Sequence, residues 1–470
     1  MDPRIKEEVQ TEKIKKSLLI SIFEGSFWSI MIGLGEKYLS AFAVFLKATN
    51  TQIGLLTSLP ILFSSLSQFF SPDLIEKFKS RKKLVILGVL INAFSWLLIL
   101  SVFYLGKYKI YYLILFVTIY WVAGAIPYPA WNSWMGDLVS PEQRGSYFGR
   151  RTKITVLIIL IFTALGGILL DWFKIGLEKP YAGFAAVFLV AMLARLGSAL
   201  MMSKQYEPEM VKVEEEDKFS FFDFLKQAPF RNYGLYTIFL TLMNFAVYIS
   251  APFFTAYMLY DLHFSYTQYM IILSVPLVAK YFSLPIWGKF SDQYGNKKIM
   301  SLTGYLMPIV PILWIFSTNY YFLICAEIVS GVVWAGFDLS TFNFIFDSTT
   351  PQKRARCVSY LSITTGIMVF LGTMLGSLII DYNNLFWTKY YLAFLVSGVL
   401  RVFISAILLP RIKERRTVKD ISYEQMAYQA TRMIVTKGIS QVLMIVTFPK
   451  NYWENRHRVE KENEEGLGKK

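Results

Sequence analysis

Histidine, cysteine and charged residues are all scarce in this chain of 470 residues. It contains two His and two Cys, and His457 lies close to the end of the chain. Cys325 and Cys357 have neither the spacing of a zinc site nor the number that a disulfide framework needs. We therefore expect no metal, no cofactor and no disulfide. No arrangement of nucleophile and base points to an enzyme.

The low charge content has a counterpart in long apolar runs. Charged residues make up 17% of the chain and hydrophobic residues 54%, whereas a soluble protein carries about a quarter charged residues. Runs long enough to cross a bilayer, which takes about 20 residues, recur along the chain. The short alternating segments of an outer-membrane barrel are missing. Twelve helical spans are predicted near residues 17–46, 51–75, 83–105, 109–138, 145–170, 180–203, 231–259, 266–288, 298–316, 320–348, 355–381 and 386–410.

The net charge of +15 is unevenly distributed between the two sides of the predicted membrane protein. Most Lys and Arg residues fall on the N-terminus, on alternate connections and on the C-terminal tail, so the positive-inside rule places both termini in the cytoplasm. The excess of Lys and Arg is thereby explained by the orientation of the chain in the membrane, and no nucleic-acid partner is expected. The first sixteen residues resemble the start of a signal peptide, but the apolar run that follows is too long, and we expect an uncleaved first span in the cytoplasmic membrane.

The second half of the chain repeats the first. Thr51-Gln52 recurs as Thr267-Gln268, and the run that ends at Arg195 recurs as the run that ends at Arg401. Such spacing predicts two six-helix bundles, an all-α fold with pseudo-symmetry. The predicted domains are residues 1–203, a polar linker at 204–230, residues 231–411 and a tail at 412–470.

One short polar segment, W-G-K-F-S-D-Q-Y-G-N-K-K from Trp287 to Lys298, separates predicted spans 8 and 9. It resembles the signature of the major facilitator superfamily, roughly G-x-x-x-D-x-x-G-x-K/R-K/R. The matching residues are Gly288, Asp292, Gly295, Lys297 and Lys298. In the first half the same register holds Glu76 and Arg81, with Lys79 in the place of the glycine. Two further elements, Asp137 with Arg144 and Asp347 with Arg354, resemble the acidic-then-Arg motif of that family.

The resemblance implies a transporter that works by alternating access, with these charges as a cytoplasmic latch. Gly295 can supply the positive φ of a tight turn, and Asp292 can accept hydrogen bonds from a helix N-terminus. Arg354 can bridge carboxylates. The alternative is that these residues only orient the chain in the membrane. Lys79 is expected to spoil the turn in the first half.

In this family spans 1, 4, 7 and 10 line the central cavity, which directs attention to polar residues in those spans. Glu327, Trp334 and Asp338 follow helical spacing along span 10. Because a charge at bilayer depth is costly, both carboxylates are candidates for carrying a proton. The alternative for each is a structural carboxylate with a partner in a neighbouring helix.

Further cavity candidates come from spans 1, 4, 7 and 8. Glu36 is preferred to Glu24 because it lies deeper, and Lys280 lies near the middle of span 8, where it can balance a carboxylate or hold an anionic solute. Arg195 and Arg401 are expected to brace the bundle or to reach the membrane surface. The remaining candidates are Trp131 in span 4 and the span 7 stripe of Thr237, Asn244 and Tyr248.

We therefore predict a monomeric, proton-coupled transporter of a small solute in the lipid bilayer. An uncoupled facilitator and a non-transporting receptor or scaffold of the same fold are the alternatives. The chain lacks the marked elements of proton-driven drug antiporters and of sugar porters, so those subfamilies are disfavoured. The tail between Asp420 and Phe448 is expected to contain an amphipathic helix on the cytoplasmic surface.

Overall fold

The computed structural model describes residues 3–139, 144–208, 221–349, 351–383, 388–426, 428–429 and 432–433. Within these ranges the chain is helical and contains no strand. The all-α prediction and the twelve predicted spans are confirmed. Spans 1 to 12 are Gln10–Phe45, Asn50–Phe70, Arg81–Tyr104, Gly106–Leu138, Tyr147–Gly176, Pro180–Ser203, Asn232–Asp261, Tyr266–Tyr294, Asn296–Phe316, Tyr320–Ile345, Cys357–Tyr382 and Tyr391–Arg411.

Most spans contain one long α-helix. These helices are Asn50–Ser67, Arg81–Ser101, Arg144–Asp171, Pro180–Ser203, Tyr266–Tyr294, Tyr320–Ser348, Pro351–Tyr382 and Tyr391–Leu408. Two short helices, Ser71–Phe78 and Phe221–Gln227, lie outside the spans, the first between spans 2 and 3 and the second before span 7.

Spans 1, 4, 7 and 9 are each divided into two α-helices. The pairs are Pro3–Leu34 with Leu39–Phe45, Lys109–Ala125 with Tyr128–Leu138, Asn232–Tyr248 with Phe253–Ala256, and Asn296–Leu306 with Ile309–Phe316. Pro127, Pro252 and Pro308 directly precede the second helices of spans 4, 7 and 9. Proline lacks the N–H that would continue the hydrogen-bond ladder, which explains these breaks.

Span 1 breaks at a glycine instead. The first helix ends at Leu34, and a short 3₁₀ turn from Glu36 to Tyr38 leads into the second helix. A Cβ on Gly35 would collide with the indole of Trp96 in span 3, so this position requires a residue without a side chain. The break places Glu36 at the first residue of the 3₁₀ turn that interrupts span 1.

The repeated Thr-Gln pairs of the sequence mark equivalent helix starts. Thr49 and Gln52 form a capping box at the start of span 2, and Ser265 and Gln268 form the same box at the start of span 8. In both, the side-chain oxygen of the cap accepts a hydrogen bond from the glutamine N–H. The sequence repeat is therefore a repeat of local hydrogen bonding.

Spans 1–6 and spans 7–12 form two bundles that meet along spans 2 and 11 and along spans 5 and 8. The assembly has two ends. We call the linker end the one that contains residues 71–80, 204–208, 291–298 and 411–420, and the distal end the one that contains residues 46–49, 172–179, 262–265, 382–383 and 388–390. The largest cluster of buried apolar side chains spans both bundles at the distal end and includes Tyr38, Phe184, Tyr257 and Tyr390.

Candidate functional site

A cavity of about 480 Å³ opens inside the first bundle. All the side chains that line it belong to spans 1 to 6, and they include Glu36 and Trp131, two of the predicted cavity residues. Cavities of 300–1,000 Å³ are typical of sites for small organic molecules. Aromatic rings form much of the wall, which gives the cavity an apolar surface with a few polar groups.

One ion pair lies in the cavity wall towards the linker end. Arg151 Nη2 in span 5 donates to Glu24 Oε2 in span 1 at 2.9 Å, and Glu24 is only 2% exposed. Ser198 Oγ donates to the other oxygen of Glu24 at 3.0 Å. The guanidinium of Arg151 also lies over the Trp131 ring, 5.0 Å from its centroid. Both oxygens of Glu24 are thus occupied, and its charge is balanced.

A second chain of hydrogen bonds crosses the bundle from span 6 to span 1. Arg195 Nε donates to Asn92 Oδ1 at 2.8 Å, and Asn92 Nδ2 donates to the Tyr120 carbonyl at 2.8 Å. The Tyr120 hydroxyl then donates to Glu36 Oε1 at 2.5 Å. Four spans are joined in this way around the cavity. The sequence predicted that Arg195 braces the bundle or reaches the membrane surface. In the structure it is 7% exposed, bonds to Asn92 of span 3 and also lines the cavity, so the surface alternative is wrong.

Lys280 and Asp338, predicted separately, are brought together between spans 8 and 10. Lys280 Nζ donates to Asp338 Oδ2 at 2.5 Å, and their side chains are 33% and 43% exposed. The other carboxylate of span 10, Glu327, accepts a hydrogen bond from Trp314 Nε1 of span 9 at 2.9 Å. The two carboxylates therefore have different neighbours, although their spacing puts them on one stripe of the helix. Trp334 packs edge-on against Phe337 of the same helix.

The span 7 stripe packs within the second bundle. Thr237 is 3% exposed and donates to the Tyr233 carbonyl of its own helix, and Asn244 donates to the Leu240 carbonyl. Tyr248 packs against the apolar cluster of that bundle. Binding roles for these residues stay predictions.

At the linker end of the first bundle, Arg81 is the centre of a closed network. Its Nη1 donates to Asp137 Oδ2 at 2.6 Å and to Ser133 Oγ at 3.0 Å. Glu207, which follows span 6, accepts from the N–H groups of Arg81 and Lys82 at 2.6 and 3.2 Å. A carboxylate at a helix N-terminus is stabilised by the unpaired N–H groups there. Glu207 had no sequence signal, because it lies in the polar segment after span 6.

The second bundle builds the same network with a residue from the tail. Glu414, which follows span 12, accepts from the Lys297 N–H at 2.9 Å and caps span 9 as Glu207 caps span 3. Asp347 accepts from Asn296 Nδ2 at 2.6 Å, and Arg416 Nε lies 3.8 Å from Asp347 Oδ2. Arg416 of the tail thus provides the cation that Arg81 provides in the first bundle.

The signature residues occupy this region in different ways. Gly295 has a φ of +85°, as the sequence predicts, and a Cβ there would meet the Glu414 carboxylate. Asp292 and Glu76 are exposed, and the carboxylate of neither has a hydrogen bond or ion pair with the described residues. A Cβ on Gly288 would have no described atom within 4 Å, so no close approach in the described part of the chain requires that glycine. Lys79 adopts a φ of +51°, which corrects the expectation that it would spoil the turn.

The tail continues along the second bundle beyond Arg416. Lys298 donates to Asp420, and this ammonium group holds the pKa of the exposed Asp420 carboxyl below its usual range. Ile421 and Met426 are buried against an apolar cluster that includes Trp287. Most of the predicted amphipathic helix lies outside the described residues, as do the side chains of Arg144 and Arg354. Those assignments stay predictions.

At the distal end, two aspartates join the bundles. Asp171, at the end of the span 5 helix, accepts from the N–H groups of Tyr266 and Thr267 at the start of span 8, at 2.9 and 2.7 Å. Asp381, near the end of span 11, accepts from Asn50 Nδ2 and Thr51 Oγ1 at the start of span 2, at 3.0 and 2.7 Å.

These two contacts are related by the internal duplication, since each links the end of a span in one bundle to the start of a span in the other. Tyr260 adds bonds to the carbonyls of Val44 and Ala48. At the linker end, by contrast, no hydrogen bond or ion pair joins the bundles among the described residues. The family motifs of the sequence all lie at the linker end, so the sequence analysis did not identify Asp171 and Asp381.

The fold and the site together define a helical membrane protein of two duplicated six-span bundles, with a cavity in one bundle and, among the described residues, hydrogen bonds between the bundles at the distal end. The sequence model described as Major Facilitator Superfamily matches residues 17–256 and 236–449. The chain belongs to this family, as the signature segment predicts. Membership places it among transporter-family proteins and not among enzymes.

Curated relatives match parts of the chain. The class H tetracycline resistance protein of Pasteurella multocida is 30% identical over 119 residues, which are 25% of this chain and 29% of the relative. The multidrug resistance protein MdtL of Salmonella paratyphi A is 25% identical over 194 residues, which are 40% of this chain and 49% of the relative. The chain thus matches about half or less of the length of these relatives.

Solved structures share the fold over most of the chain. A crystal structure of the nucleoside transporter NupG has a TM-score of 0.66 at 14% identity, and covers 85% of this chain and 100% of its own. A bacterial homologue of the iron transporter ferroportin, in an inward-facing state, has a TM-score of 0.62 at 13% identity, over 86% and 99% of the two chains. At these identities the likeness concerns the fold alone.

Proposed function

We propose that this protein moves a small organic solute across the membrane by alternating access. The observation that carries the proposal is the asymmetry between the two ends. Hydrogen bonds between the bundles lie at the distal end, whereas at the linker end each bundle closes its own network. A carrier open at one end and sealed at the other has this arrangement. With the linker end in the cytoplasm, this is an inward-open state in the cytoplasmic membrane.

The cavity of the first bundle supports the same proposal. It reaches from Glu36, at the break in span 1, to Met202 near the linker end of span 6. Irregular backbone inside a bilayer is tolerated where it is buried in protein or lines a polar cavity, and discontinuous helices mark the sites of many transporters. Drug-resistance proteins among the partial relatives make organic drugs one candidate class of solute, although the chain lacks the marked elements of drug antiporters.

Proton coupling is part of the proposal. Glu327 and Asp338 are the predicted carriers, and Glu36 is a third carboxylate at membrane depth. No Lys or Arg nitrogen lies within 4.0 Å of Glu327 among the described residues, so a bound proton would neutralise its charge at membrane depth. Glu327→Gln and Asp338→Asn should each be tested for the pH dependence of uptake. If neither changes it, these two carboxylates do not carry the proton.

Transport is tested with purified full-length protein. A thermal-shift screen against sugars, amino acids, organic acids and cationic drugs identifies binders, since a ligand at 100 times its Kd stabilises the folded state by about 2.7 kcal/mol. The binder is then supplied with a radioactive label to proteoliposomes, with and without a pH gradient. We expect uptake above that of empty liposomes. An uptake rate that does not depend on the pH gradient indicates an uncoupled facilitator. Binding without uptake indicates a receptor and contradicts the proposal.

A further inference from the structure

The cavity of the first bundle contains one carboxylate and one guanidinium that do not pair with an opposite charge. The Glu24–Arg151 ion pair is complete at 2.9 Å. Arg195 and Glu36 remain, and neither has an oppositely charged side-chain atom within 4.0 Å among the described residues. Both line the same cavity. Burying an unpaired charge is costly, so an unpaired charge in a cavity wall indicates a partner that is bound there.

Arg195 has the geometry of a group that binds an anion. It is 7% exposed, and two of its nitrogens are held by Asn92 Oδ1 at 2.8 Å and Ser198 Oγ at 3.2 Å. These bonds fix the plane of the guanidinium. The remaining terminal nitrogen, Nη2, makes no hydrogen bond with the described residues. A fixed guanidinium with free N–H groups suits a carboxylate or a phosphate.

Glu36 presents the complementary group. One of its oxygens accepts the Tyr120 hydroxyl at 2.5 Å, and its Oε2 makes no hydrogen bond with the described residues. Trp28, Trp121 and Trp131 contribute to the walls of the same cavity. Aromatic rings and a carboxylate together suit an ammonium group, because the ring faces also attract cations.

A second observation indicates that the cavity takes a polar ligand. Ser64, in span 2, is 7% exposed and lines the cavity, yet its hydroxyl has no hydrogen-bond partner among the described residues. The indole Nε1 of Trp131, also in the wall, is buried without a partner as well. A buried donor left without an acceptor costs about 1–3 kcal/mol, and a ligand acceptor at either group would recover it.

We propose that this cavity binds a zwitterionic solute with an apolar body, whose anionic group binds Arg195 and whose ammonium group binds Glu36. The charged side chains that line the cavity indicate which charge type of solute it binds. Two carboxylates and two guanidiniums sum to zero, so a zwitterion leaves no net charge in the membrane, whereas a simple anion or cation leaves one wall charge unpaired. This inference rests on the proposed transport function for its biological meaning, but the site can be tested by binding alone.

The test compares ligands that differ only in charge. Tryptophan is a zwitterion, indole-3-propionate lacks the amine, and tryptamine lacks the carboxylate. Leucine, 4-methylpentanoate and 3-methylbutylamine form a second set with a smaller body. Dissociation constants are measured by thermal shift and calorimetry on detergent-purified protein. In at least one set the zwitterion should bind about tenfold or more tightly than both partial analogues, as expected for charge-assisted bonds.

Variants assign each half of the ligand. Arg195→Gln should reduce the affinity for the zwitterion to that for the amine analogue, which lacks the carboxylate. Glu36→Gln should reduce it to the affinity for the acid analogue, which lacks the amine. Arg401→Gln is the matched control, because Arg401 is the equivalent residue of the second bundle and bonds there to Met307 O and Ser250 Oγ. It should lower stability without changing the preference. If Arg195→Gln does not fold, Arg195→Lys, which keeps the charge, and Ser64→Val serve instead.

Several outcomes would overturn the assignment. Equal binding of the acid and the zwitterion removes Glu36 from the site, equal binding of the amine and the zwitterion removes Arg195, and no binding in either set rejects the zwitterion class. The proposed function fails separately. If proteoliposomes transport another solute, transport stands and the zwitterion site is rejected; if zwitterions bind as predicted but are not transported, the site stands and the carrier proposal is rejected.

Discussion

The two aspartates of the distal end should control which end of the protein is open. Asp171 accepts two N–H bonds from the start of span 8, and Asp381 accepts two side-chain bonds from the start of span 2. All four bonds cross between the bundles. Opening the distal end must break them, so they stabilise only the state that is open at the linker end.

The free energy by which Asp→Asn substitution destabilises the linker-open state is estimated from the hydrogen bonds that the substitution weakens. A hydrogen bond to a charged group contributes about 1.5–3 kcal/mol and a neutral one about 0.5–1.5 kcal/mol. For Asp171, which is half-buried, we expect a loss of about 1–2 kcal/mol. For Asp381, which is exposed, solvent screening reduces the loss to below about 1 kcal/mol. The double variant then loses about 2 kcal/mol, which shifts the equilibrium roughly 30-fold towards the distal-open state.

The assay measures distances between spin labels on cysteine pairs, in protein whose Cys325 and Cys357 are replaced. Labels at Lys77 and Gln293 report the linker end, and labels at Lys107 and Tyr321 report the distal end; all four side chains are exposed. The double variant should gain a population with a shorter linker-end distance and a longer distal-end distance, and Asp171→Asn alone should have the larger single effect.

A matched control separates this effect from a general effect of charge. The Asp73 side chain is exposed and its carboxylate has no hydrogen bond or ion pair with the described residues, so Asp73→Asn should leave both distance distributions unchanged. If the folded double variant gives the same distributions as the parent at both ends, the distal aspartates do not hold that end closed, and the reasoning is refuted.

Three further predictions concern packing and pairing. Gly35→Ala should lower the free energy of unfolding by about 1–3 kcal/mol through overpacking at the span 1 break, whereas Gly136→Ala, where an added Cβ meets nothing, should be close to neutral in a detergent melt. Glu414→Gln should loosen the tail from span 9 and expose the segment after span 12 to limited proteolysis, an effect absent if the cap contributes nothing. Lys280→Met should destabilise more than Lys280→Met combined with Asp338→Asn, because the single change leaves a carboxylate unpaired; equal losses would contradict this pairing.

The fold was predictable because its signals are local and repeated. Apolar runs determine the twelve spans, and the equivalence of Thr51 with Thr267 reflects matching helix starts. The turn at Gly295 also followed from one residue and its backbone preference. Each of these depends on interactions within a few residues of the chain.

The polar networks were not predictable in the same way, because their partners come from distant spans. The sequence separated Glu24 from Glu36 by depth alone, and only the structure distinguishes the ion-paired carboxylate from the one bonded to Tyr120. Arg195 and Arg401 likewise match in the repeat, yet one faces a cavity and the other braces backbone carbonyls. A repeat predicts equivalent positions, whereas their surroundings diverge with the packing of neighbouring helices.

The most direct test of alternating access is a reversible lock at the closed end. Thr51 and Ser377 belong to different bundles, and their hydroxyl oxygens lie 3.3 Å apart, so paired cysteines there can form a disulfide. Thr241 and Thr364, 3.1 Å apart within the second bundle, provide the control pair. Oxidation should stop solute transport by the Thr51→Cys/Ser377→Cys variant, reduction should restore it, and the control pair should transport in both conditions. Undiminished transport by the fully cross-linked variant would contradict the account.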